Sequence, residues 1–226
     1  MLSSITPMTE AGRGYRFSST ARWFVAGGIL GGCTTGAVAA LAATGVGALD
    51  LSDPARWGIG AVVAAATAAV DLGIAGVELP IFKRQVNDAW LRRYRSWVYG
   101  GGFGWQIGTG VATYIMTAAV LLTVGLAILT GDPAAALLIG FTFGTVRGAA
   151  VYLGRSATTP AALGQVHDRL DRLAPATRAA AAGVQVVAAV ALAGAAWGVV
   201  AAAGVGLALV LARALVARGQ RRPAAV

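Results

Sequence analysis

The chain has little of what soluble enzymes use for chemistry. Its 226 residues include one cysteine, Cys33, and one histidine, His167. A single cysteine excludes an intrachain disulfide, a CxxC pair and a cysteine-based metal cluster, and with them a redox relay inside the chain. His167 has no nucleophile near it in sequence, so no serine, histidine and acid arrangement is visible. Cys33 reads as a small packing residue and His167 as a surface imidazole. No metal, cofactor or enzymatic activity is expected. Charge is also scarce: Asp and Glu number nine, and charged residues make up 12% of the chain. The first 21 residues hold Glu10, Arg13, Arg16 and a Ser/Thr run. They lack an apolar core ahead of a small-residue cleavage site, so they read as a flexible cytoplasmic tail and not as a cleaved secretory signal.

Apolar sequence is what abounds. Hydrophobic residues make up 57% of the chain and the mean hydropathy is +0.71, values foreign to a soluble globule. The net charge of +9 does not point to nucleic acid, because the basic residues fall in short clusters between long apolar runs. The expected partner is a lipid bilayer, with anionic headgroups at the cytoplasmic face. A protein partner or a homo-oligomer is the further expectation.

Read in order, the runs predict an all-α protein of six transmembrane helices arranged as three hairpins. The spans are 23–49, 57–79, 98–130, 134–153, 177–196 and 198–216, within a single transmembrane domain over 22–217 and followed by a cytoplasmic tail over 218–226. Each is close to or above the roughly 20 residues that cross a bilayer; the third is long enough to tilt or to contain a break. The last apolar stretch, Ala179 to Ala212, would be about 51 Å long as one helix, so it is divided near Gly194 to Gly198.

Two stretches read as cytoplasmic helices in the headgroup layer. Between Pro80 and Trp97, Phe82, Val86, Trp90, Tyr94 and Trp97 form a stripe beside Lys83, Arg84, Arg92, Arg93 and Arg95. Between Gly154 and Arg178, Thr159 and Pro160 suit an N-cap and a first helical position, ahead of Leu163, Val166, Leu170 and Leu173. With both chain ends inside, sixteen of the eighteen basic residues face the cytoplasm, as the positive-inside rule requires. This makes a multi-pass protein of a bacterial-type cytoplasmic membrane the expectation.

Glycines recur every fourth residue at Gly28, Gly32 and Gly36, at Gly100, Gly104 and Gly108, and at Gly140, Gly144 and Gly148. Small residues at this spacing let helix backbones approach closely in lipid. They do not match the GxGxxG register of a phosphate cradle, and no strand precedes them. Spans one and three also overlay, with Gly27, Gly28, Thr35 and Gly36 matching Gly101, Gly102, Thr109 and Gly110. That fits either a duplicated hairpin in parallel orientation or chance in a chain this rich in glycine and alanine.

Ionisable groups inside a span are rare, and they are either paired or functional. Asp71 and Arg147 lie at similar depth, about 10 to 12 Å from the cytoplasmic interface by helical rise. Gln106 reaches the same level, and Thr109, Thr113, Thr34 and Thr35 lie deeper. One reading is a solute or ion site of Asp71, Gln106, Thr109 and Arg147; the other is a buried Asp71–Arg147 ion pair that sets the register of two hairpins.

The run from Gly102 to Gly108, Gly-Phe-Gly-Trp-Gln-Ile-Gly, resembles the glycine and aromatic helix of the CcdA and DsbD type membrane proteins. Those proteins pass reducing equivalents across a membrane through a six-span core. The resemblance covers little more than one helix and implies paired intramembrane cysteines, where this chain has Ala112 and Gly36. The halves of that family are inverted, whereas the overlay here is parallel. It therefore implies a cysteine-free relative at most. The expected function is a transporter or permease for a small polar or anionic solute or ion, the alternative a non-transporting membrane anchor or assembly subunit.

Overall fold

The computed structural model describes residues 4–77, 89–111 and 116–220. Among them all regular structure is helical, without a strand. Four stretches are long and apolar enough to cross a membrane: Phe17–Ala48, Pro133–Gly154, Pro160–Trp197 and Val199–Arg218. A multi-pass membrane protein is compatible with this architecture; the six spans of the sequence reading are not reproduced one for one.

Helix α1 (Pro7–Gly12) starts at a reciprocal cap in which Thr6 and Thr9 each accept from the other's backbone N–H, satisfying two otherwise orphan donors. Helix α2 (Phe17–Ala48), about 48 Å long by helical rise, is the central post. Helix α3 (Asp53–Asp71) returns along the bundle and packs antiparallel on α8, Gly58 meeting Trp197 at one end and Asp71 meeting Gln185 at the other. The short α4 (Ala89–Arg93) leads into α5 (Ser96–Thr109), which runs parallel to α2. Then come α6 (Ala119–Leu129), α7 (Pro133–Ala149) and one 3-10 turn (Ala150–Gly154). Helix α8 (Pro160–Trp197) ends at Gly198, and α9 (Val199–Gln220) folds back along it, Gly206 beside Val190 and Ala202 beside Gly194.

Several expectations give way. Residues 4–21 are not a flexible tail. Glu10 is fully buried and accepts hydrogen bonds from Thr20 Oγ1, Tyr99 Oη and Arg13 Nη1, while Met8 N–H donates to the Ala157 carbonyl. A carboxylate with three donors stabilises a cap that an isolated polar segment would not form. The helix of the second apolar run stops at Asp71, well short of 79. Gly73 is left-handed at φ 70°, its N–H bonds the Val70 carbonyl and Ile74 N–H bonds the Ala69 carbonyl, which is the paired arrangement that closes a helix at glycine.

The run 98–130 is not one helix. Helix α5 ends at Gly110, with φ 76°, and Met116 to Ala118 precede α6. The amphipathic stretch after Thr159 and the fifth span form one 38-residue helix that continues through Pro175. Thr159 does cap it, accepting from Ala162 N–H. Most of the headgroup helix assigned to 80–97 lies outside the described residues; its described end is interrupted at Tyr94 and Arg95, and Arg95 is the N-cap of α5. Ala112, Thr113 and the end of the C-terminal tail also lie outside them. Helix α9 continues to Gln220, so 218–220 belongs to the last helix.

The glycine rows lie against backbone. A Cβ added to Gly28 would come within 2.7 Å of Gly148 Cα, one on Gly32 within 2.5 Å of Gly144 Cα, and one on Gly36 within 3.1 Å of Gly140 Cα. On the α5 side, a Cβ on Gly104 would come 2.9 Å from Gly28 N, one on Gly108 2.8 Å from Gly28 Cα and one on Gly100 3.0 Å from the Thr20 carbonyl. Helices α2 and α5 meet at the 74-residue offset of the overlay, Thr35 Oγ1 donating to the Thr109 carbonyl. Their hairpin partners differ, however: α7 packs on α2, whereas α3 packs on α8.

Candidate functional site

The site begins where α5 stops. A helix end inside an apolar bundle leaves its last carbonyls and the next helix's first N–H groups without intrahelical partners, and in lipid nothing else satisfies them. Here Gly110 N–H reaches the Ile107 carbonyl and Thr35 Oγ1 the Thr109 carbonyl, and two charged side chains from other helices add to them. Arg147 of α7 donates from Nε to the Ile107 carbonyl at 2.7 Å, at the negative end of α5. Asp71, the last residue of α3, accepts the Ala118 N–H at 2.8 Å, at the positive end of α6. Each charge therefore meets the end of the helix dipole that favours it.

Asp71 and Arg147 do not pair with each other. Among the described residues the one ion pair is Arg13–Glu10. This overturns the reading of a register-setting ion pair and replaces it with two separate caps on one interrupted helix. Half-buried Asp71 has a second partner, Gln185 Nε2 of α8. Gln185 is fully enclosed, and its Oε1 has no hydrogen-bond partner among the described residues.

The guanidinium of Arg147 also sits over the Phe143 ring, 5.3 Å from its centroid, a favourable cation–π distance. It borders a cavity of about 320 Å³ lined by Ile5, Phe24, Ile107, Met116, Arg147, Ala150 and Val151. Ile5 reaches this wall because the buried Glu10 ties the N-terminal cap to α2 and α5. The cavity thus combines four parts of the chain: the cap, α2 through Phe24, the two sides of the break, and the end of α7 with its 3-10 turn.

The other residues singled out from the sequence are elsewhere. Gln106 is half-buried and is not part of the cavity wall. Thr109 is buried, its hydroxyl donating to the Gln106 carbonyl at 2.8 Å within α5 and its carbonyl accepting from Thr35 Oγ1 of α2. Thr34 accepts from Trp105 Nε1. Sequence reasoning passed over Glu10, Ile5 and Gln185. Gln185 had a signal, being the one polar side chain between Arg178 and Arg213. Glu10 had none, because Tyr99, which closes over it, lies 89 residues away in the chain. Among the described residues no cluster of His, Cys, Asp and Glu could hold a metal ion.

No protein-family model matches the chain, and no curated protein or solved structure is found to be similar to it.

Proposed function

We propose that the chain is a small membrane transporter or permease in which a small anionic solute is bound at Arg147, beside the α5–α6 interruption. The observation that carries this reading is the interruption itself, capped by Arg147 and Asp71 and opening on the Arg147 cavity. Irregular backbone at membrane depth is tolerated where it is buried in protein or lines a cavity, and discontinuous helices are where transporters bind solutes and ions. Asp71 holds the α6 end in place and Arg147 supplies the charge. The protein sits in the cell membrane with both ends in the cytoplasm, since that orientation places the basic clusters inside.

Flux into proteoliposomes over a panel of small organic and inorganic anions tests this. Arg147→Gln should lower flux of the transported anion at least tenfold, while Gln106→Ala should leave it within about twofold. Absence of flux for every solute, with the protein shown to be folded, would remove the transport reading. A second reading, a membrane anchor for another protein, is favoured by the first half of α8: residues 164–180 are largely exposed and Leu173 is 48% exposed. A stoichiometric partner recovered from native membranes, and lost when that half-helix is altered, would favour the anchor.

A further inference from the structure

We infer that the solute taken by the Arg147 cavity is a monocarboxylate with a small apolar body, an inference that rests on reading this cavity as the solute site. Arg147 spends Nε on the Ile107 carbonyl, and its guanidinium carbon lies over the Phe143 ring. Its Nη1 and Nη2 have no hydrogen-bond partner among the described residues. What remains is the end of the guanidinium fork, whose two N–H groups match the two oxygens of one carboxylate.

The rest of the described wall selects the body of the ligand. Ile5, Phe24, Met116, Ala150 and Val151 are apolar, so each methylene buried there should improve affinity about fourfold. No described lining residue is acidic. An amino acid would therefore bring an ammonium group with no partner, which is costly away from water. Sulfate and phosphate carry more charge and more acceptors than one half-used arginine can meet. The volume, about 320 Å³, lies at the small end of ligand cavities and suits a short or branched chain better than a long acyl chain.

The test is thermal unfolding and calorimetry of the intact protein in mild detergent, titrated with 4-methylpentanoate, butanoate, the neutral 4-methylpentanamide, leucine, sulfate and palmitate. The expected result is 4-methylpentanoate binding at least tenfold tighter than the amide, leucine or sulfate, with butanoate weaker by about fourfold for each methylene lost. Arg147→Gln should abolish this binding. Because Arg147 also caps α5, Arg147→Lys provides the second variant: it keeps the charge, loses the fork and should weaken binding at least tenfold.

Equal binding of leucine or sulfate, binding of palmitate alone, binding indifferent to both Arg147 variants, or no binding at all would each overturn the inference. Tight 4-methylpentanoate binding without proteoliposome flux would instead remove the transport reading and leave the ligand class standing. Flux of an inorganic anion without carboxylate preference would do the reverse.

Discussion

Helices α2 and α9 are both apolar enough to cross a bilayer, and α9 is the more apolar, yet 44% of the most apolar stretch of α2 is buried inside the protein and only 6% of that of α9. The more hydrophobic helix is the less buried one. In lipid, apolar surface has no reason to prefer protein over acyl chains, so association depends on close packing and polar contacts. Helix α2 has glycine on two faces: Gly32 and Gly36 open it to α7, and Gly27 and Gly31 open it to α5. On α9, Gly204 has nothing within 4 Å of a built Cβ and Gly206 only Val190. Glycine contributes in α2 because a second backbone occupies the space its side chain would take.

The largest effect that could break this contrast is at Gly32. Gly32→Leu should cost about 3 kcal/mol or more, because the obstructing atoms are backbone of Gly140 and Gly144 and cannot rotate away. Gly204→Leu should change stability by no more than about 0.5 kcal/mol. Thermal unfolding of both variants in one detergent decides it, and equal losses would refute the contrast.

Next comes the end of α2. Glu10→Ala strands the Thr20 and Tyr99 hydroxyls and should cost about 2 kcal/mol. Faster proteolysis within residues 4–16 would be its signature. Arg13→Ala should cost less, since that side chain is 25% exposed and Thr20 and Tyr99 still donate to the carboxylate without it. A loss on Arg13→Ala matching that of Glu10→Ala would show that the ion pair, not the enclosed carboxylate, holds the cap.

The α3–α8 contact should respond least. Asp71→Asn keeps an acceptor for Ala118 N–H and should cost about 1 kcal/mol. Gln185→Leu should cost less still, because it also removes an enclosed oxygen that has no partner among the described residues. Chemical denaturation of the pair tests the order; a larger loss for Gln185→Leu would mean that Oε1 has a partner after all.

Much of the local structure was legible. Thr159 and Pro160 start α8, and Gly198, at φ 90°, separates α8 from α9. Each acts through its own backbone and neighbours, so the local sequence carries the information. The N-terminal cap was not legible: a polar segment with scattered Ser and Thr reads as a tail until Tyr99 closes over Glu10 from 89 residues away. Asp71 and Arg147 stood out as charges at one depth, and depth alone suggested a pair. That they serve opposite ends of one interrupted helix required knowing that α5 ends at Gly110, inside a run of continuous hydropathy.

The sequence by itself determined that these runs fold as helices suited to lipid, because backbone groups removed from water must bond within their own segment. Only the tertiary structure decided where Asp71 and Arg147 are used. Their partners lie 40 residues away for Arg147, and 47 and 114 residues away for Asp71. At such separations partner choice depends on which backbones can approach, and that follows from the packing of α2 with α5 and α7 and of α3 with α8.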